Sequence, residues 1–192
     1  MLILGITGTL GAGKGTVVEY LVRQHGYAHF SAREVIVEEI KKRGLPENRD
    51  TMREVANDLR AQFGVAYVLE QLFKKAAASG VAQAVLESVR TLGEIEMLRK
   101  IKGEHQFYLL GVDADPKIRY ARMSERGTTT DDVSFEDFLR QEHLESIDTD
   151  PAKINLPACL MRADFVLDNN GTKKELYRQV GRELEKVEIK GM

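Results

Sequence analysis

A glycine-rich stretch near the N-terminus has the residue types and spacing of a polyphosphate-binding loop. Residues 8–16 read GTLGAGKGT, which matches the pattern G-x-x-x-x-G-K-[ST] when Gly15 is allowed between Lys14 and Thr16. Glycine lets the backbone curl so that several N–H groups point inward, and the helix that follows adds the partial positive charge of its N-terminus. The predicted loop residues are Gly11, Ala12, Gly13, Lys14, Gly15 and Thr16.

Two side chains of this stretch are suited to phosphate chemistry. The Lys14 ammonium would lie against the β and γ phosphates, and the Thr16 hydroxyl is the usual ligand to the Mg²⁺ that bridges them. The alternative is a tight turn that carries an exposed lysine, but it does not account for the hydroxyl or for the flanking strand and helix patterns. The stretch does not by itself distinguish ATPases, GTPases and small-molecule kinases.

The segments around the loop alternate between strand and helix patterns. Short apolar runs predict buried strands, and longer runs with apolar residues on one face predict helices. The predicted strands cover residues 2–7, 27–30, 82–86, 107–112 and 165–167. The predicted helices cover residues 14–24, 32–43, 50–63, 67–78, 92–101, 116–125, 135–145 and 173–187. This alternation predicts a three-layer α/β fold, in which a five-stranded parallel sheet has helices on both faces.

Length and composition indicate one globular domain over residues 1–192. The chain is 43% hydrophobic and 30% charged, which excludes disordered and collagen-like proteins. A net charge of -2 favours a small ligand over nucleic acid or an acidic membrane surface. Cys159 is the only cysteine, so we expect no internal disulfide, a cytoplasmic protein, and Cys159 in the core. No apolar run approaches the length of a membrane span.

The form GKGT, with glycine directly after the lysine, resembles adenylate kinase and related nucleoside monophosphate kinases. The resemblance covers nearly the whole chain and implies the P-loop kinase fold, with ATP and Mg²⁺ as cofactors. In the segment VLESVRT, Glu87 and Arg90 match the aspartate and the arginine that this family has after its third strand. The resemblance implies that Glu87 holds Mg²⁺ through water and that Arg90 grips the phosphate of the acceptor. The alternative for these two residues is an exposed ion pair at a strand end.

Three arginines after the fourth strand form a second match. Arg119, Arg122 and Arg126 are spaced three and four apart, so they share one helix face, where like charges repel unless an anion lies among them. The resemblance implies that Arg122 packs over the ATP adenine and that Arg126 contacts phosphate, and planar guanidinium groups suit both roles. The turn DNNGT resembles the loop beside the nucleotide base, which implies that Asn170 and Gly171 bind ATP. A solvated helix face is the alternative for the arginines.

The polar segment 127–135, GTTTDDVSF, resembles the lid of the same family. Arg140 follows Asp131 and Asp132 at a spacing similar to that of the lid arginine that reaches the transferring phosphate. The two aspartates are also suitable caps for the next helix. The lid prediction therefore depends on the family resemblance more than on the residues themselves.

The helical segment 31–79 is predicted to bind the acceptor, and a dimer face is the alternative for residues 50–78. It keeps a small hydroxyl residue, Ser31, but has Ile36 where the family has the arginine for the acceptor's phosphate. Arg33, one turn earlier, is the predicted substitute. The predicted acceptor-binding residues are Ser31, Arg33 and Arg90. The predicted catalytic residues are Lys14, Arg90, Arg126 and Arg140.

The resemblance implies ATP-dependent phosphoryl transfer to a nucleoside or deoxynucleoside monophosphate. The expected partners are small-molecule nucleotides, without nucleic acid or membrane, and the expected state is a monomer or homodimer. An ionised phosphate acceptor demands no general base. The four histidines, at positions 25, 29, 105 and 143, show no nucleophile pairing or metal-ligand spacing, so we expect surface or capping roles for them. Two alternatives stay open. The first is dephospho-CoA kinase, because segment 163–176 resembles that enzyme as well as phage-type deoxynucleoside monophosphate kinases. The second is a regulatory module that binds ATP and has no acceptor.

Overall fold

The alternation of strands and helices is present in the computed structural model, which describes residues 1–101, 105–127, 133–146, 150 and 153–190. The strands are β1 (Leu2–Gly8), β2 (Ala28–Ser31), β3 (Gln83–Glu87), β4 (Gln106–Asp113) and β5 (Phe165–Asp168). The helices are α1 (Lys14–His25), α2 (Ala32–Lys42), α3 (Arg49–Phe63), α4 (Tyr67–Ala78), α5 (Leu92–Lys100), α6 (Pro116–Arg126), α7 (Phe135–Leu144), α8 (Leu156–Met161) and α9 (Lys173–Lys190). None of these described helices combines the length and the apolar character that crossing a bilayer requires.

The five strands form one parallel sheet in the order β2-β3-β1-β4-β5, which confirms the predicted fold class. β1 lies in the centre, where Ile6 is in register with Glu87 of β3 on one side and with Leu110 of β4 on the other. Because the strands are parallel, the loops after β1, β3 and β4 leave the same edge of the sheet. β2 and β3 lie on one side of β1 and β4 and β5 on the other, so the strand order reverses at β1. In open parallel sheets ligands bind at this edge, beside the reversal.

Each face of the sheet packs against its own helices because the strands carry apolar residues on both sides. On one face, Leu4 and Ile6 belong to a buried cluster with Val17 of α1 and Val180 of α9. On the other face, Ile3 belongs to a second cluster, which contains residues of α3, α4, α5 and α8. The sheet is therefore the middle of three layers, and β1 is the strand from which the glycine-rich loop starts.

A short helix that the apolar pattern did not predict, α8, packs on the second face. Its six residues make fewer than two turns, too few to show a helical period, and Pro157 lies in its first turn. Gly111 of β4 lets α8 approach the sheet, because a Cβ atom there would lie 2.7 Å from Leu160. Cys159 is fully buried in this cluster, which confirms its predicted place in the core.

Candidate functional site

Residues 8–16 form a tight loop between the C-terminal end of β1 and the N-terminus of α1. Gly8, Gly11 and Gly13 have φ angles of 149°, 76° and 100°, in the region that favours glycine. Gly13 is the N-cap of α1, and its carbonyl oxygen accepts the first backbone hydrogen bond of the helix from Thr16 at 3.0 Å. The backbone N–H groups just before Thr16 have no acceptor within the helix, so they can donate to an anion.

Close packing also requires two of these glycines. A Cβ atom on Gly8 would overlap the carbonyl oxygen of Val112, and one on Gly11 would lie 2.6 Å from the carbonyl oxygen of Arg119. Backbone atoms cannot move aside as a flexible side chain can, so glycine at these positions is what lets the loop lie against β4 and α6. Gly15 differs, because a Cβ atom there would meet nothing within 4 Å. The start of α1 therefore faces open space.

The Lys14 ammonium group lies inside the loop. Its Nζ atom donates to the carbonyl oxygens of Gly8 and Thr9, each at 2.8 Å. Burial lowers the pKa of Lys14 to about 7, and the positive charge of Arg90 contributes to the lowering. A nearby anion would favour the ammonium form again, because opposite charges stabilise the charged state. The loop is thus prepared to take up an anion together with a proton.

The segment after β5 packs against the glycine-rich loop. The buried Asn169 donates from Nδ2 to the carbonyl oxygen of Ala12 at 2.8 Å. Arg122 of α6 donates to the carbonyl oxygens of Asn169 at 2.7 Å and of Gly171 at 3.2 Å. Asn170 accepts a hydrogen bond from the backbone at the start of α6 at 2.7 Å. The predicted base-side residues Arg122, Asn170 and Gly171 therefore lie together, next to the loop.

Arg119 shows that one interpretation of the arginine stripe on α6 was wrong. Only 3% of Arg119 is exposed, and its guanidinium donates to the carbonyl oxygens of Leu10 at 3.0 Å and of Ala114 at 2.7 Å. Its Nη2 atom pairs with Glu142 of α7 at 2.6 Å. The Glu142 carboxylate therefore offsets this charge. Arg119 joins the glycine-rich loop to α6 and α7.

Glu87, at the C-terminal end of β3, is paired with His29 of β2, and their Oε2 and Nε2 atoms are 2.8 Å apart. This hydrogen bond raises the pKa of His29 and lowers the pKa of Glu87, which the charges of Lys14 and Arg90 lower further. Both side chains line an open cavity of about 300 Å³ beside Gly15. His29 is exposed, in agreement with the predicted surface role, but the sequence pattern did not indicate that Glu87 is its partner.

Oxygen ligands suitable for Mg²⁺ are present at this edge of the sheet. The Thr16 hydroxyl at the start of α1 and the ionised Glu87 carboxylate are donors of the kind that Mg²⁺ prefers. The described residues contain no group of three or more His, Cys, Asp or Glu side chains placed to hold a metal ion. Mg²⁺ bound here would therefore be held by Thr16, by Glu87 through water, and by the phosphates of a nucleotide.

Arg90 is held by two carboxylates. Its Nη1 atom pairs with Glu145, directly after α7, at 2.9 Å. Its backbone N–H donates at 2.8 Å to Oε2 of Glu94, a fully buried residue in the first turn of α5. The other oxygen of Glu94, Oε1, accepts from Arg60 of α3 at 3.2 Å. Glu94 therefore connects α3 to the segment that carries Arg90.

Of the predicted acceptor residues next to α2, Arg33 has a partner within the protein. Arg33 is 56% exposed and pairs with Glu47 at 2.7 Å. Ser31 is the N-cap of α2 and is 9% exposed. Ile36, which replaces the expected arginine, is partly buried against the cluster on the second face of the sheet. The described contacts do not bring Arg33 to the glycine-rich loop.

Most of the predicted lid lies outside the described residues, namely residues 128–132 with both of its aspartates. Gly127, with a φ of 59°, ends α6 directly after the exposed Arg126. Arg140 lies on α7, is 64% exposed, and pairs with Asp137 of its own helix at 3.3 Å. The described contacts do not join Arg140 to Lys14, so its role in catalysis stays a prediction.

Sequence reasoning missed four residues that shape this site. Glu94 had a local signal, because Thr91 and Glu94 have the spacing of a capping box, and the structure contains that box. Asn169 lies in a segment that indicated only a turn. His29 and Arg60 had no local signal, because their partners lie 58 and 34 residues away along the chain.

Comparison with known proteins agrees with this geometry. The profile of the AAA domain family matches residues 4–147, which include the glycine-rich loop, Glu87 and Arg90. The chain is 29% identical to a UPF0200 protein of Pyrobaculum aerophilum over 183 residues, or 95% of this chain and 96% of that protein.

Two solved structures share the fold. TT1252 from Thermus thermophilus is 22% identical with a TM-score of 0.64, and the match covers 96% of this chain and 97% of that one. Shikimate kinase from Bacteroides thetaiotaomicron is 13% identical with a TM-score of 0.58, and the match covers 97% of this chain and 98% of that one. At these identities the likeness shows the α/β P-loop kinase-like fold.

Proposed function

We propose that this chain, which belongs to the AAA domain family, transfers a phosphoryl group from ATP to a nucleoside or deoxynucleoside monophosphate. The observation that carries the proposal is the position of the Lys14 ammonium inside a glycine-rich loop at the N-terminus of α1. Such a loop suits the tail of a nucleoside triphosphate, with Mg²⁺ neutralising charge between its phosphates. The fold likeness to a shikimate kinase supports a kinase over other nucleotide-binding proteins.

The residues around the loop have distinct tasks in this proposal. Lys14 exchanges the carbonyl oxygens of Gly8 and Thr9 for phosphate oxygens and donates to them from Nζ. Arg122, next to Asn170 and Gly171, lies on the side of the base. Phosphoryl transfer needs little beyond positioning and charge stabilisation, so a rigid loop with a cation inside it is the main requirement.

The acceptor side of the proposal depends on Arg90 and on the segments around the sheet edge. Arg90 lies close enough to Lys14 for its charge to lower the pKa of that lysine. Its ion pair with Glu145 is partly exposed, so an incoming phosphate can take the place of that carboxylate. We propose that residues 1–192 form one kinase domain, that segment 31–79 covers the acceptor, and that segment 127–135 closes over ATP and excludes water.

One observation favours a second candidate, a kinase with a hydroxyl acceptor such as dephospho-CoA. A hydroxyl must lose a proton during transfer, and the pair of His29 on β2 and Glu87 at the carboxyl end of β3 offers an imidazole and a carboxylate. Assays with both kinds of acceptor separate the two candidates.

The experiment measures ADP formed from ATP and Mg²⁺ with and without each acceptor, using AMP, CMP, UMP, GMP, dCMP, dTMP, dephospho-CoA and shikimate. We expect ADP to appear with a nucleoside monophosphate and to stay at the background level without one. Lys14→Ala should lower turnover by a factor of about 100 or more and leave the protein folded, as a thermal melt checks. Lys100→Ala is the matched control, because Lys100 is 79% exposed at the end of α5.

Other outcomes decide against the proposal in different ways. ADP formed only with dephospho-CoA or shikimate would establish a hydroxyl acceptor. Binding of ATP with no acceptor-dependent ADP would indicate a nucleotide-binding regulatory module. Calorimetry that detects no magnesium-dependent binding of ATP would exclude the nucleotide function as a whole.

A further inference from the structure

A second cavity lies between α3, the end of α7 and the segment just before α8. It has a volume of about 260 Å³ and is open on one side. Its lining residues are Arg53, Asn57, Leu144, Lys153 and Ile154. Arg53 and Asn57 are one turn apart on α3, whereas the other three residues come from the end of α7 and from the segment just before α8.

The lining of this cavity has the chemistry of an anion site with an apolar wall. Arg53 and Lys153 supply two cations, and Leu144 and Ile154 supply the apolar surface. The Asn57 Oδ1 atom accepts from Arg60 at 3.2 Å, so its Nδ2 group is the part of this amide that can donate to a ligand.

Arg53 can exchange its partner at small cost. Arg53 donates to Asp50 at 2.8 Å, one turn earlier on α3, and Asp50 is 76% exposed. Exposed ion pairs of this kind contribute little to stability, so a bound anion can replace Asp50. A guanidinium group can bind a phosphate or carboxylate through two parallel hydrogen bonds. In a partly enclosed cavity, that interaction is stronger than the pair of Arg53 with an exposed aspartate of its own helix.

Hydrogen bonds tie both walls of the cavity to Arg90. On one wall, the backbone N–H of Asn155 donates to the carbonyl oxygen of Arg90 at 3.1 Å, directly after Ile154. On the other wall, Arg60 binds both Asn57 and Glu94, and Glu94 accepts the backbone N–H of Arg90. The cavity is therefore fixed relative to the segment proposed to face the acceptor.

We propose that this cavity binds the anionic group of the acceptor, a phosphate monoester or a carboxylate on a small molecule, through Arg53, Lys153 and Asn57. The inference rests on the proposed function and identifies the acceptor's ligands. The volume is slightly below the range of pockets for drug-sized ligands, so the occupant is small or enters with its charged end only. Arg33 then has a structural role in its pair with Glu47 and is not the substitute for the missing acceptor arginine.

The test is equilibrium binding by calorimetry with the ATP site first filled by a non-hydrolysable ATP analogue and Mg²⁺. AMP is the phosphate probe and shikimate is the carboxylate probe. We expect at least one probe to bind, and Arg53→Ala and Lys153→Ala each to raise its dissociation constant about tenfold or more, as loss of one charge-assisted hydrogen bond does. Arg53→Lys should recover part of the loss for either probe.

Arg178→Ala is the matched control, because Arg178 is exposed on α9 and does not line the cavity. Thermal melts check that each variant is folded, which is expected since Arg53 and Lys153 are not buried. The inference is overturned if neither probe binds to protein that holds the ATP analogue, or if Arg53→Ala and Lys153→Ala both bind a probe as the parent does. Failure of the ATP analogue itself to bind would instead refute the proposed function, so the two failures are distinguishable.

Discussion

The side-chain amide of Asn169 donates to the carbonyl oxygen of Ala12 at 2.8 Å, across 157 residues of sequence. This bond joins the turn between β5 and α9 to the middle of the glycine-rich loop. A Cβ atom on Gly13 would overlap the same amide, so the loop and the turn leave no space between them. The conformation of the loop therefore depends on a contact from the far end of the chain as well as on its own glycines.

Asn169→Ala should loosen the glycine-rich loop. It removes a buried donor and leaves the Ala12 carbonyl oxygen without that partner, so we expect the free energy of unfolding to fall by about 1–3 kcal/mol. The dissociation constant for ATP should rise as well, because the loop is no longer preorganised. Urea denaturation and calorimetry measure the two effects, and Gln62→Ala, on the exposed surface of α3, is the control. Unchanged ATP affinity in a destabilised variant would show that the turn does not shape the loop.

The low pKa of Lys14 should make ATP binding depend on pH. Lys14 has a pKa of about 7 in the free protein, and phosphate favours its ammonium form, so binding above that pH takes up a proton. We expect the dissociation constant to rise by up to about tenfold per pH unit above neutrality. Calorimetry in buffers with different enthalpies of ionisation measures the proton uptake. Lys14→Met should abolish this uptake, and an equal uptake in the variant would contradict the assignment.

The same group affects stability without any nucleotide. Between the folded pKa of about 7 and the ordinary lysine pKa of 10.5, the unfolded chain holds a proton on Lys14 that the folded chain lacks. The contribution of Lys14 to the free energy of unfolding therefore rises with pH over this window, and it is most unfavourable below it. In Lys14→Met the free energy of unfolding should depend less on pH over this window, as urea denaturation measures. This measurement checks the pKa of Lys14 independently of ATP binding.

Cys159 should be unreactive in the folded protein. Burial raises the pKa of its thiol to about 12, and the side chain is fully buried on α8, so thiolate and access are both lacking near neutral pH. We expect labelling by a thiol-specific disulfide reagent to be about a hundredfold slower in the native protein than in urea. Cys159 is the only cysteine, so the signal reports on α8 alone. Fast stoichiometric labelling without denaturant would show that α8 detaches from the sheet.

The buried ion pair of Arg60 and Glu94 should couple α3 to α5. Their side chains are 3% and 0% exposed, so Glu94→Ala leaves a buried positive charge without its carboxylate. We expect the free energy of unfolding to fall by about 3–5 kcal/mol. The double variant Arg60→Met with Glu94→Gln buries no unpaired charge and should be destabilised less, as measured by urea denaturation. A double variant less stable than Glu94→Ala would show that the charges themselves stabilise the fold.

The local pattern of the sequence was sufficient for most of the fold. The strands and the eight longer helices agree with the predicted bounds to within three residues, because each element shows its own apolar period. The loop from Gly8 to Thr16 was also identifiable from local sequence, because its glycines, lysine and hydroxyl are close neighbours in the chain. Only α8, with fewer than two turns, was too short to show a period.

Tertiary structure alone decided which charged and polar side chains meet. Arg119 and Arg122 lie on the same predicted face of α6, yet their partners differ. Arg119 is paired with Glu142, whereas Arg122 donates to carbonyl oxygens of the turn after β5. His29 was isolated in the sequence, and it meets Glu87 because β2 and β3 are neighbours in the sheet. Periodicity determines which side of an element is buried. The partner of a side chain depends instead on how elements that are distant in the sequence pack together, and that packing depends on the whole chain.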